Sequence, residues 1–168
     1  MSAILRRTKA TSQEILDVFG KPDLHMVVMG VGTGGTITGV GNVSKKRFLV
    51  LRLLGQIPRF NPRWWDEVHP HHVEGIGYDF FPKILDNSIV DKYVKVNDKD
   101  TFKIARSLIQ DEGLLIGGSC GTAAFAALEA AKSLKKGQNC LIILPDGIRN
   151  YMRKFVSESG WKKTILFS

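Results

Sequence analysis

Long apolar runs are missing from this chain. No stretch approaches the roughly 20 residues that a bilayer-crossing helix needs, so no membrane partner is expected. The opening MSAILRRTKATSQEIL carries basic side chains with no apolar segment behind them, which argues against a secretion signal. Cysteine is scarce: Cys120 and Cys140 have no metal-type neighbours. Two isolated thiols suit a reducing compartment, so the expected location is cytoplasmic. His69, His71 and His72 cluster, but no Cys or acidic pattern completes a ligand set. A solvated loop is the favoured reading there, and no metal is expected. Internal repeats and low-complexity tracts are also missing.

The acids are unevenly spread. The formal charge is +8, yet residues 44–65 hold six Lys/Arg and no acid, and residues 149–168 hold five against Glu158. These two stretches carry more than the whole excess. Neither has the aromatic interleaving of a single-strand binder or the pattern of a recognition helix, so they read as solvated faces or ends. No nucleic-acid partner is expected.

Alternating strand and helix signals occupy most of the chain. TSQEILDVFG (11–20) reads as a short helix, with Thr11 and Glu14 as a capping box and Gly20 as the stop. LHMVVMGV (24–31) has the length and apolarity of a strand buried on both faces, and a helix follows from about Gly35 to Lys46. VDKYVKV (90–96) alternates as a strand. DKDTFKIARSLIQDEG (98–113) reads as a helix capped by Asp98 and Gly113, with Phe102, Ala105, Leu108 and Ile109 on one face. A second glycine turn, GGSCGT, feeds an alanine-rich helix. NCLIILPDG (139–147) is an apolar strand with a turn, and IRNYMRKF a further short helix. Such alternation implies right-handed crossovers and a mostly parallel sheet. Residues 45–72 resist assignment: Pro58, Pro62 and Pro70 break any run, and the adjacent Trp64 and Trp65 cannot share a face. Disorder is one reading of that stretch; the sheet then either carries a gap there or is filled by the 48–54 run.

What is abundant is glycine, placed where strands hand over to helices. MGVGTGGTITGV (29–40) holds five glycines. A helix start offers unpaired N–H groups and a partial positive charge, and glycine lets backbone curl around an anion. Thr33 and Thr36 can add hydroxyl donors, so a phosphate monoester is a natural guest. A tight turn serving only close packing is the alternative. Gly30, Gly32 and Gly35 formally match G-x-G-x-x-G, but no Asp or Glu lies between Gly35 and Asp66 to hold a ribose. G-x-x-x-x-G-K-[ST] occurs nowhere, so a triphosphate loop is unsupported.

Five stretches in order, GVGTGGTITGVG, VEGIGYDFFP, VDKYVKVND, DEGLLIGGSCGT and LPDGIRNYMRKF, resemble the fold-type II pyridoxal-phosphate enzymes, the cysteine synthase and cystathionine beta-synthase family. With TSQEILDVFGKPDL the resemblance covers residues 11–43 and 73–156, and EGIGYDF and LPDGIRNYMRKF lean toward the cystathionine beta-synthase branch. It implies an α/β fold: part of the three-layer, parallel-sheet architecture of the tryptophan synthase beta-like enzymes, lacking the amino-terminal half. Residues 1–168 would form one partial domain. It implies pyridoxal 5'-phosphate as cofactor, with Gly32, Thr33, Gly34, Gly35 and Thr36 around the phosphate and Ser119 donating to the pyridine nitrogen. The alternative role for Ser119 is a helix N-cap. Gly75, Gly77 and Tyr78 would lie near an amino-acid substrate, with a half-buried structural aromatic as the rival reading of Tyr78.

The implied activity is that of a beta-replacing lyase of transsulfuration and cysteine biosynthesis: serine plus homocysteine giving cystathionine and water. The family's Schiff-base lysine has no counterpart. Only Lys9 and Lys21 precede the glycine loop, and neither sits in the family's lysine motif. No catalytic residue is therefore assigned, and no turnover is expected of the chain alone. A homodimer, or pairing with a full-length relative as a non-catalytic or regulatory fragment, are the partner states considered.

Overall fold

The computed structural model describes residues 3–19, 23–48, 52–58, 71–78 and 80–166. A seven-residue strand, Leu24–Gly30 (β1), forms its axis. Met26, Val27, Val28 and Met29 are each no more than 1 % exposed, so both faces of this strand are buried. That is the burial expected of a parallel strand sandwiched by helices. Three further strands lie parallel in the order β3–β2–β1–β4: Arg52–Pro58 (β2), Lys92–Val96 (β3) and Asn139–Ile142 (β4). β1 runs beside β2 from Met26↔Arg52 to Gly30↔Gln56, and β2 beside β3 from Leu54↔Lys92 to Pro58↔Val96. On its other side β1 pairs with β4, with an irregularity between Leu24 and Met26.

Parallel neighbours need crossovers, and helices supply them. Ala3–Val18 (α1) and Gly35–Arg47 (α2) cover one face, packing Ile15, Ile37 and Val40 against Val27 and Met29. Gly118–Ala131 (α4) covers the other, setting Ala126 and Ala127 against Met26, Val28 and Val96. Alternate residues of one strand thus feed two cores, each fully buried aliphatic side chain contributing roughly 1.5–3 kcal/mol. Asp98–Glu112 (α3) packs on the outside of α4. The two approach so closely that a Cβ on Gly121 would fall 2.2 Å from the Thr101 carbonyl oxygen.

A third apolar cluster, with Val73, Phe102, Cys120, Tyr151 and Phe155, ties the start of α4 to the C-terminal segment. Arg106 of α3 fastens that segment. Its guanidinium donates to the carbonyls of Phe155 and Val156 at 3.0 and 3.2 Å, pairs with Glu158 at 2.9 Å, and lies 4.9 Å above the Trp161 ring. Glu158 and Trp161 belong to the last helix, Glu158–Leu166 (α5).

The parallel α/β expectation holds, and so do the 24–31 strand, the 35–46 helix and the four-residue apolar face of α3. Several boundaries differ. α1 starts at Ala3, which puts Thr11 inside the helix and removes the capping box. The preceding AILRRTKA is rich in good helix formers, which carry the helix upstream. α3 is capped by Asn97, whose Oδ1 accepts from the Asp100 N–H at 2.8 Å, and not by Asp98. Asp98 instead accepts from the backbone N–H of His72 at 2.5 Å. Gly113 closes α3 in the left-handed conformation, as expected. The 139–147 strand stops at Ile142, and IRNYMRKF keeps only a short 3-10 turn, Ile148–Tyr151. Within 45–72, residues 52–58 form a paired strand, so the place in the sheet is filled by 52–58 and not by 48–54. His69 and the tryptophan pair lie outside the described residues.

Candidate functional site

The sheet order places β2 on one side of β1 and β4 on the other, with α2 leaving β1 across one face and α4 entering β4 from the opposite face. Crevices at the carboxyl ends of strands open at such a reversal and receive ligands. A cavity of about 480 Å³ lies there, between the ends of β1 and β4. That volume suits a small molecule or cofactor.

Its first wall is the glycine loop. Gly34 has φ +80°, and an added Cβ would come within 2.5 Å of the Leu85 Cβ, so only glycine serves both the backbone and the packing. A Cβ on Gly32 would strike the Gly75 carbonyl oxygen at 2.3 Å. The first bond of α2 runs from the Thr38 N–H to the Gly34 carbonyl at 3.0 Å, and no side chain caps the helix. The N–H groups of Gly35, Thr36 and Ile37 therefore have no intrahelical partner, and Thr36 and Ile37 line the cavity. Thr38 secures the loop from behind: its hydroxyl donates to the Ile84 carbonyl at 3.1 Å and accepts from the Asp86 N–H at 3.0 Å.

The second wall is the 73–78 loop. Val73 and Ile76 are buried anchors, and the Gly77 N–H donates to the Val31 carbonyl at 3.2 Å. This brings Glu74, Gly75 and Tyr78 to the cavity. Tyr78 is 37 % exposed and stacks on Phe80 with centroids 5.3 Å apart, forming an aromatic lip.

The third wall is the start of α4 facing the turn after β4. Gly117 is the N-cap, so Ser119 is the second residue of the helix and not its cap. Ser119 is 5 % exposed and lines the cavity. Its hydroxyl has no hydrogen-bond partner among the described residues. Opposite, the Asp146 carbonyl accepts from the Gly117 N–H at 3.2 Å. The Asp146 carboxylate accepts from the Tyr151 hydroxyl at 2.6 Å and, more weakly, from the Cys120 thiol at 3.6 Å. Burial, then the bond to Asp146 and its charge, push the Tyr151 phenol well above its usual range. Burial first also raises the Cys120 thiol, so that sulfur is no ready nucleophile. Lys154 pairs with Glu74 and stands 5.4 Å over the Tyr151 ring.

Of the residues singled out from sequence, Gly32, Thr33, Gly34, Thr36, Gly75, Tyr78 and Ser119 share this cavity. Gly35 and Gly77 stand behind its wall, Gly35 as the first residue of α2 and Gly77 as the tie to Val31. Sequence reasoning missed Asp146 and Tyr151; the turn LPDG at the end of an apolar strand was the available signal. No lysine lines the cavity among the described residues. His72 Nδ1 lies 3.1 Å from Asp98 Oδ2, and no group of three or more metal-ligating side chains occurs among the described residues.

The residues present fit a phosphorylated aromatic aldehyde: an anion cradle whose Gly32 and Gly34 leave no room for a Cβ at one end, a Ser119 hydroxyl without a partner among the described residues at the other, and a volume between them that holds a ring. A family model described as "Pyridoxal-phosphate dependent enzyme" matches residues 2–146. Cystathionine beta-synthase of Mus musculus is 46 % identical over 155 residues, 88 % of this chain and 27 % of that protein. The enzyme of that name from Dictyostelium discoideum is 44 % identical over 154 residues, 88 % of this chain and 30 % of that protein. The chain thus spans less than a third of the length of these relatives. Among solved structures, the O-acetylserine dependent cystathionine beta-synthase of Helicobacter pylori superposes with a TM-score of 0.83 at 34 % identity, over 90 % of this chain and 49 % of that one. An O-ureido-L-serine synthase gives 0.85 at 29 % identity, over 96 % and 54 %. The chain belongs to the family of pyridoxal-phosphate dependent enzymes and carries part of their fold-type II architecture.

Proposed function

We propose that this chain is one partial domain, the phosphate- and ring-binding part, of a cystathionine beta-synthase-type enzyme, and that its cavity takes pyridoxal 5'-phosphate. The observation that carries this reading is the pairing, across one cavity, of the uncapped start of α2 with a Ser119 hydroxyl that has no partner among the described residues. N–H groups of residues 35–37, with the loop 32–34 and the Thr33 and Thr36 hydroxyls, would hold the phosphate. Ser119 would donate to the ring nitrogen and leave it uncharged, as suits beta-replacement better than transamination. Bound there, the cofactor would supply the electron withdrawal that loosens an amino acid's alpha proton and beta substituent. Gly75 and Tyr78 would border the amino-acid substrate, with Gly77 fixing their loop.

The lineage activity is the joining of serine and homocysteine to cystathionine, in the cytoplasm. Among the described residues, no lysine lines the cavity to anchor the cofactor or move the alpha proton. The chain alone is therefore expected to bind without turning over, and the same gap favours a second reading, a non-catalytic fragment that pairs with a complete relative.

Titration with pyridoxal phosphate, followed by its absorbance and by competition with inorganic phosphate, tests the binding. Saturable, phosphate-competed binding supports it; no binding at millimolar ligand to well-folded chain refutes it. Cystathionine formation by the purified chain with unreduced cofactor, together with covalent attachment of the cofactor when a separate sample is treated with borohydride, would overturn the expectation of inactivity.

A further inference from the structure

The cavity has two ends, and only one of them is explained by the glycine loop. The other is built around Asp146. Its main-chain carbonyl accepts from the Gly117 N–H at 3.2 Å and from the Cys120 thiol at 3.5 Å, so it holds the first turn of α4. Its carboxylate takes the Tyr151 hydroxyl at 2.6 Å, with Cys120 at 3.6 Å on the other oxygen. Gly117 leaves the room: a Cβ there would lie 2.0 Å from that second oxygen. Ser119 lies two positions after Gly117 and directly before Cys120, and Asp146, Tyr151 and Ser119 all face the cavity.

Tyr151 is 5 % exposed. A buried phenol needs a partner for its proton, and Asp146 provides it. Burial and the neighbouring carboxylate keep that proton in place through the physiological range. The ring is wedged by Phe155, centroids 5.6 Å apart, and overlaid by Lys154, which also grips Glu74 on the opposite wall. One tyrosine is therefore linked to the first turn of α4 through Asp146, to the C-terminal segment through Phe155, and to the 73–78 loop through Lys154 and Glu74.

We propose that Asp146 and Tyr151 are a positioning pair for the ring end of the cavity, holding the first turn of α4 so that the Ser119 hydroxyl meets the ligand ring. This rests on the reading of the cavity as a pyridoxal-phosphate site. Inorganic phosphate reaches only the α2 end, whereas the ring-bearing ester spans both. The pair must therefore affect the two ligands differently, which loosening of the whole fold would not do.

The test is the affinity of the chain and its variants for pyridoxal phosphate and for inorganic phosphate, with thermal unfolding to show that each is folded. Tyr151→Phe, which deletes one oxygen, and Asp146→Ala should each weaken pyridoxal phosphate about tenfold and leave phosphate within about twofold. Asp146→Asn retains an oxygen to accept from Tyr151 and should recover to within about threefold of the unsubstituted chain. Equal losses for both ligands, an unchanged pyridoxal phosphate affinity in Tyr151→Phe, or an Asn variant as poor as the Ala variant would each overturn the pair. If the unsubstituted chain binds neither ligand, the cavity reading itself fails and takes the pair with it. If it binds both and the variants do not discriminate, the pair alone fails.

Discussion

The two helix starts that face the cavity are made differently. At α2 the wall is mostly backbone: Gly34 in a left-handed turn and three N–H groups with no intrahelical partner. At α4 the wall is side chain: Ser119, Asp146 and Tyr151 project into it, and the glycine at the cap serves to make room for a carboxylate. A backbone site recognises a charge and a shape that any phosphate ester offers. A side-chain site recognises a particular group. Generic affinity and selectivity are thus assigned to opposite ends of one pocket.

The largest way to break that contrast is at Gly34. Gly34→Val forces a branched residue into positive φ and a Cβ into Leu85, at a cost of roughly 2–4 kcal/mol. Urea melts should show that loss, and titration should show binding of both phosphate and pyridoxal phosphate abolished. Gly117→Ala should be the next most damaging. Its Cβ displaces the Asp146 carboxylate, costing about 1–3 kcal/mol, and titration should show weakened pyridoxal phosphate binding with phosphate retained. Ser119→Ala should sharpen the distinction further. It removes no hydrogen bond to the described residues, so stability should change by less than about 1 kcal/mol, while pyridoxal phosphate affinity falls about tenfold and phosphate affinity holds.

A pH series probes the same side. The folded state raises the phenol of Tyr151 above its ordinary value near 10, so the protonated form is bound more tightly in the fold than in the unfolded chain. That contribution is whole below pH about 10 and is lost as pH climbs toward the folded value. Tyr93, pushed up to about 12 by burial, adds to the decline. Melting temperature should fall steadily above pH about 10, and the slope should be shallower in Tyr151→Phe. The smallest effect belongs far from both ends: Lys132→Ala, which breaks the exposed 2.6 Å pair with Glu129, should shift stability by less than about 1 kcal/mol and binding not at all.

Legibility in the sequence followed the same division. The α2 end was readable because glycine spacing after an apolar run reports directly on backbone shape. β1 was readable because four consecutive apolar residues admit burial on both faces. The α4 end was only half readable. Ser119 showed in GGSCG, but cap and ligand-facing roles share one residue type, and it took the cap at Gly117 to separate them. Asp146 and Tyr151 meet Ser119 across a gap of about thirty residues in sequence, and no local rule reports such a meeting. Asn97 and Asp98 are adjacent residues with equal capping chemistry, and tertiary demand from His72 decided between them. β2 was obscured because its apolar run is embedded among prolines, with Pro58 tolerated at the strand's last position.

The left-handed turn at Gly34 also bears on inheritance. A glycine codon can change by one base only to alanine, serine, arginine, cysteine, tryptophan, valine, aspartate or glutamate, and each of these adds a stereocentre. Of that set, aspartate is the one whose backbone visits this conformation most readily. It would also set a fixed negative charge among the N–H groups proposed to hold the phosphate. The replacement that sterics forgive most is the one that electrostatics forgive least, which leaves position 34 with no neutral single-base neighbour.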